Sequence, residues 1–112
     1  MSGSTTMEIG IIGLGNAGKP IAERLLKKGR RIKVYDLNRV PMEDLAKLGA
    51  VTSGSAGEAL GDITLIVLPS TIEVRSAALG EKGFLAALQP GSVLVDLSGT
   101  DPGLRARTGK TM

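Results

Sequence analysis

The chain contains neither cysteine nor histidine. Without cysteine there is no disulfide, no thiolate nucleophile and no sulfur-ligated metal; without histidine the commonest acid/base and metal ligand at neutral pH is also gone. Most hydrolase and metalloenzyme readings fall with them, and no metal site is expected. A long apolar run is missing too. The longest, Ile63 to Leu68, is interrupted by Thr64 and falls far short of the roughly 18 residues that a membrane span requires, so no membrane partner is expected. Residues 1–6, Met-Ser-Gly-Ser-Thr-Thr, have neither a basic nor an apolar region of the kind a secretory signal needs, and read as a flexible leader. Cytoplasmic residence is the expectation. The charge excess is small as well: 14 basic against 11 acidic residues give +3, which suits an anionic ligand but is common where no polyanion binds. No nucleic-acid partner is expected.

What is present describes a single folded domain. In 112 residues, 42% are hydrophobic and 22% charged, the balance of a globular chain with a buried core. Glu8 to Gly13 forms a short apolar run, followed by a glycine-rich turn and a helical pattern with Ala17, Ile21, Ala22, Leu25 and Leu26 on one face. Lys27 and Lys28 suit the end of that helix, and Gly29 its left-handed stop. Arg31 to Asp36 alternates like a strand, and Asn38 to Leu48 reads as a helix closed by Gly49. Val51 belongs to a brief strand, Ser55 to Glu58 is a capping-box pattern, and Ile63 to Leu68 is a buried strand. Two further helices are expected over 71–79 and 83–88, a strand over 92–96, and a last helix opened by Asp101-Pro102. Strands alternating with helices predict a parallel sheet with right-handed crossovers, covered on both faces.

The chemistry sits in the first turn. Gly13-Leu14-Gly15-Asn16-Ala17-Gly18 fits G-x-G-x-x-G, weak alone in a chain with 16 glycines but here placed between a strand and an amphipathic helix. Asp36 ends the next strand at close to the expected spacing. Gly13 permits the tight turn, Gly15 lets a pyrophosphate approach the backbone, and Gly18 lets the helix lie close on the strand. The amides of Asn16 and Ala17 point to pyrophosphate oxygens at the positive end of the helix. Asp36 is placed to accept from the adenosine ribose hydroxyls and to repel a 2′-phosphate, which favours NAD over NADP. Arg39, three residues on, can in principle neutralise such a phosphate, although an exposed arginine at a helix start is ordinarily just solvated. Gly109-Lys110-Thr111 mimics the tail of a P-loop, but position 104 is Leu where that motif needs glycine, so a nucleotide triphosphatase is rejected.

From Glu8 to about Arg107 the chain resembles the 3-hydroxyisobutyrate dehydrogenase family, the β-hydroxyacid dehydrogenases. The resemblance is carried in order and spacing by IGIIGLGNAGKPIAERLLKKG, VYDLN, LGA, VLPS and PGSVLVDLSGTDP. It implies a Rossmann-like, doubly wound α/β sheet of strand order 3-2-1-4-5 that binds NAD, with NADP possible, as one half of an oxidoreductase moving a hydride between a small 3-hydroxy acid and the nicotinamide. It further implies that Leu37 flanks Asp36 in the cofactor site, that Leu68, Pro69 and Ser70 line the nicotinamide-ribose side, and that Ser98 and Gly99 face the substrate. Read from the residues alone, Leu68-Pro69 is also a strand ending at a proline, and Ser98 a turn or cap hydroxyl. Ala17 stands where the family usually has methionine, and Gly99 where many relatives have Ser or Thr, which leaves the substrate open. The family's sixth strand, helical domain and catalytic lysine do not match anything up to Met112, so residues 7–112 are expected to be a dinucleotide-binding fragment with no catalytic residue of its own and a tendency to form homo-oligomers. Two other readings stay open: a noncatalytic dehydrogenase-like binding or assembly module, and an imine-reductase-type domain.

Overall fold

Apolar residues of opposite parity along one central strand sort the core into two halves. In β1, Glu8–Ile12, successive side chains face opposite sides of the sheet, and Ile11 and Ile12 are both fully buried, one in each half. A strand buried on both faces must lie in the middle of its sheet, and β1 does. The computed structural model describes residues 7–97 and 107–108.

The remaining elements follow in chain order: α1 Gly18–Lys27, β2 Arg31–Tyr35, α2 Arg39–Ala46, β3 Val51–Thr52, a 3-10 turn at Gly57–Ala59, β4 Ile63–Ile66, α3 Thr71–Ala78, α4 Phe84–Ala87, β5 Val93–Asp96 and β6 Arg107–Thr108. The sheet order is β3-β2-β1-β4-β5-β6. The first five strands are parallel, giving the expected 3-2-1-4-5 order. Register is continuous across the centre, with Ile11 opposite Val34 on one side and Leu65 on the other.

One expectation fails at the edge. The sheet was expected to lack a sixth strand and the chain beyond Pro102 to be helical; instead Arg107–Thr108 pairs antiparallel with β5, placing Thr108 opposite Val95. An antiparallel return needs no crossover helix, so a two-residue pairing can satisfy an edge that a parallel strand could reach only by a longer path. The expected helix start at Asp101-Pro102 and the leader at residues 1–6 lie outside the described residues.

Local signals fix the other boundaries. Asn38 caps α2 by accepting the Val40 N–H at 3.0 Å, and Gly29 and Gly49 adopt positive φ of 80° and 110° where α1 and α2 end. The Ser55 hydroxyl accepts the Glu58 N–H at 3.3 Å, while the Glu58 carboxylate reaches the Gly54 N–H at 2.9 Å, the reciprocal pattern of a capping box shifted by one residue. One half of the core gathers Ile11, Val34, Leu45 and Ala22 beneath α1 and α2; the other gathers Ile12, Ile66, Leu94 and Phe84 beneath α3 and α4. Each large side chain buried this way contributes about 1.5–3 kcal/mol. Among the described residues no helix is long and apolar enough to cross a membrane.

Candidate dinucleotide site

A groove of about 1180 Å³ runs along the carboxyl ends of the parallel strands, with the glycine turn on one wall and the α3–α4 segment on the other. That exceeds the roughly 300–1,000 Å³ usual for drug-sized ligands. Of the residues singled out from the sequence, Gly13, Gly15, Asn16, Ala17, Asp36 and Leu37 line it on the first wall, and Leu68 and Pro69 beside β4.

Two of the three glycines of the turn are required by the fold. Gly13 has φ of 103°, and a Cβ there would fall 2.2 Å from the Val67 carbonyl oxygen. At Gly18 a Cβ would sit 1.8 Å from the Gly13 oxygen, so α1 can lie against the end of β1 only if this residue is glycine. Gly15 differs. A Cβ there would meet nothing within 4 Å, its φ is not in the left-handed region, and it lines the groove. The fold makes no demand for glycine at this position.

Ala17 precedes α1 without any side-chain cap, and the N–H groups of Asn16 and Ala17 donate to no partner among the described residues. Two free donors at a helix start, where the aligned peptides amount to roughly half a positive charge, favour negative charge beside them. Upstream the turn is pinned to the end of β2. Gly13 N–H donates to the Tyr35 carbonyl at 2.9 Å, and Leu14 N–H donates to Asp36 Oδ2 at 2.6 Å. The other Asp36 oxygen, Oδ1, accepts the Asn38 N–H at 2.8 Å.

Three of the predicted site residues do not reach the groove. The Leu14 side chain is 3% exposed and packs in the core under α1 and α2. Gly18 is buried against Gly13. Ser70 is the N-cap of α3: its hydroxyl accepts the Glu73 N–H at 3.4 Å and donates to Glu73 Oε1 at 3.1 Å. Arg39 does not line the groove either. Ser98 and Gly99 lie outside the described residues; Leu97, just before them, is a lining residue.

Sequence reasoning missed the second wall. Gly54 to Ala56 and the stretch from Glu73 to Gly83 line the groove opposite the glycine turn. The two parts are joined where Gly57 N–H donates to the Lys82 carbonyl at 2.9 Å, and Gly83 leaves no room for a Cβ, which would lie 2.3 Å from the Leu79 oxygen. The glycine pair Gly80 and Gly83 was the only sequence signal, and it matches no ligand motif.

A doubly wound parallel sheet carrying a glycine turn, uncapped helix amides and a strand-end carboxylate along one groove is a dinucleotide-binding domain. The family described as the NAD binding domain of 6-phosphogluconate dehydrogenase matches residues 8–112, and the chain belongs to it. Its cofactor class is therefore NAD(P). Among curated relatives, the NAD-dependent L-serine dehydrogenase of Pseudomonas aeruginosa is 34% identical over 97 residues, 85% of this chain and 33% of the relative. The Mycobacterium tuberculosis 3-hydroxyisobutyrate dehydrogenase, solved with L-serine, superposes with a TM-score of 0.74 at 28% identity, over 84% of this chain and 32% of that one. An imine reductase from Myxococcus stipitatus, solved with NADP+, shares the fold at TM-score 0.74 and 24% identity, over 81% of this chain and 32% of that one. The resemblance to the 3-hydroxyisobutyrate dehydrogenases thus holds, and the chain spans about a third of the length of the curated relatives it matches.

Proposed function

We propose that this chain binds NAD(H) along its groove and is the cofactor-binding part of an oxidoreductase acting on small 3-hydroxy acids. The observation that carries the reading is Gly15, a glycine the fold does not need, whose missing side chain leaves the groove open beside two unpartnered amides. A pyrophosphate fits there without any lysine, held by the Asn16 and Ala17 N–H groups. Asp36 keeps two of its roughly four acceptor positions after binding Leu14 and Asn38, enough for two ribose hydroxyls. Leu37, 86% exposed at the rim, offers apolar surface to the adenine side, and Leu68 and Pro69 flank the route toward the nicotinamide. Leu14, Gly18 and Ser70 support this site by shaping the turn and capping α3.

NAD is favoured over NADP. The groove is lined by the carboxylates of Asp36, Glu73 and Glu81 against the single ammonium of Lys82 among the described residues, a field that opposes an added 2′-phosphate. When bound, the nicotinamide supplies the hydride chemistry; the residues described here bind and orient it. Ser98 and Gly99 belong to the same proposal as the substrate side, as do cytoplasmic residence and self-association. Titration calorimetry with NADH and NADPH tests the core of it: absence of NADH binding overturns the reading, and tighter binding of NADPH overturns the preference.

A further inference from the structure

Asp36 does more in this structure than wait for a ribose. Its Oδ2 receives the Leu14 N–H at 2.6 Å, a short charge-assisted bond across 22 residues of chain, and its Oδ1 is itself fixed by the Asn38 N–H at 2.8 Å. We propose that Asp36 is the positioning residue of the phosphate turn, setting the Leu14 peptide, and through it the free amides of Asn16 and Ala17, before any cofactor arrives. The proposal rests on the dinucleotide reading of the groove and adds to it a second task for the same carboxylate.

The turn needs such a restraint. Gly13 lies in the left-handed region and a Cβ at Gly15 would meet nothing within 4 Å, so the peptides on either side of Leu14 are held by the packing of the Gly13 carbonyl against Gly18 and by hydrogen bonds. The buried Leu14 side chain fixes the position of its Cα but not the rotation of its peptide. Downstream, Gly15 O accepts the Lys19 N–H at 3.2 Å and so belongs to the helix; upstream, Gly13 N–H is tied to Tyr35 O. Leu14 N–H is the remaining link, and its acceptor is a side chain. A turn ordered in advance binds its ligand without the entropic cost of ordering it then. It follows that exchanging Asp36 to admit a 2′-phosphate also loosens the phosphate turn.

The test uses ligands that lack the ribose contact. ADP and 2′,3′-dideoxy-ADP are titrated by NMR into the full chain, its Asp36→Ala and its Asp36→Asn variants, and amide exchange is recorded without ligand. Removing a carboxylate beside an anion tightens binding on charge alone, so a role confined to the ribose predicts unchanged or tighter dideoxy-ADP binding in Asp36→Ala. We expect the opposite: about tenfold weaker dideoxy-ADP binding and loss of Leu14 amide protection, with Ile11 and Val34 still protected. In Asp36→Asn, which keeps one acceptor for Leu14, part of that loss returns. Loss of ADP affinity alone, with dideoxy-ADP unaffected, overturns the proposal while leaving the cofactor reading intact; failure of both ligands on the wild-type chain overturns the cofactor reading as well. The wild-type chain supplies a measurement independent of any variant, because Leu14 must be protected while Asn16 and Ala17 exchange freely, and an unprotected Leu14 refutes the positioning role.

Discussion

Replacing Gly15 by valine adds a side chain whose Cβ falls in space that the protein leaves empty. That Cβ meets nothing within 4 Å and the backbone is outside the left-handed region, so the folded chain is expected to take the side chain without a clash at Cβ. Loss of glycine also reduces the freedom of the unfolded chain, a stabilising effect of about 0.4–1 kcal/mol for the smaller alanine. The melting temperature of Gly15→Val is therefore expected to match wild type or rise by a few degrees, given that 1 kcal/mol moves a domain of this size by roughly 4–8 °C. The bound cofactor meets the same atoms as an overpacked contact costing about 1–3 kcal/mol, or roughly fivefold to 150-fold in affinity for NADH. Gly15→Ala should fall at the low end of that range. Gly18→Ala supplies the contrast: its Cβ would lie 1.8 Å from the Gly13 oxygen, a clash with backbone that outweighs the better helix propensity of alanine, so stability falls along with binding. Melting curves and calorimetric titration of the three variants decide the matter. A Gly15→Val chain that melts many degrees lower, or that binds NADH like wild type, would refute the assignment of this glycine to the ligand.

Wild-type chain should bind NADH at least several-fold more tightly than NADPH in calorimetry, and the reverse order would mean that the acidic lining does not govern the choice. Hydrogen bonding between Lys19 and Asp44, 2.8 Å apart, holds the Asp44 carboxyl below and the Lys19 ammonium above their usual ranges. The pair thus contributes above the unfolded Asp44 value and loses that contribution as pH falls through the lowered folded value; at the alkaline end it is lost as pH rises through the raised Lys19 value. Asp44→Asn should lower the melting temperature slightly near pH 7 and match wild type in strong acid, and a difference that persists in acid would exclude the ion pair as its cause. Leu45→Ala, at a fully buried site, should cost about 2–5 kcal/mol in denaturant unfolding, and a cost below 1 kcal/mol would mean the core repacks around it. The 112-residue chain is expected to bind NADH yet yield no NADH from NAD and a panel of 3-hydroxy acids, because the groove has no histidine and its carboxylates and Lys82 lie along walls proposed to hold the cofactor; turnover would overturn that expectation.

Where local chemistry decides structure, the sequence is legible. The central strands announce themselves by apolar runs, the ends of α1 and α2 by Gly29 and Gly49, and the ligand turn by glycines whose spacing answers to a strand–turn–helix geometry. Asp36 was recognisable as a groove residue from its place at a strand end, but its bond to Leu14 spans 22 positions and no periodicity carries such information. Ser70 has a local task that its neighbours hide. It follows Leu68-Pro69 and looks like part of the same lining, whereas Ser70 and Glu73 form a helix cap that uses the hydroxyl. The second wall stayed hidden because it is assembled from two distant segments, Gly54 to Ala56 and Glu73 to Gly83, brought together only when Gly57 meets Lys82. At the far edge, the helical expectation past Pro102 lost to β5, whose exposed side was open to pairing with Arg107 and Thr108.

The division of the core by the sheet has a thermodynamic corollary. Among the described residues, Leu45 and Phe84 belong to clusters on opposite faces with no buried residue in common, and of the partly buried ones only Tyr35 packs against both. Energetic coupling between substitutions needs shared partners or a shared backbone shift. Sites on opposite faces are therefore close to independent variables: their free-energy changes add, whereas two changes beneath the same pair of helices interact. The sheet acts as a partition in mutational space, so variation can accumulate under α1 and α2 without altering what is tolerated under α3 and α4, with Tyr35 at the end of β2 as the principal point of communication between the two.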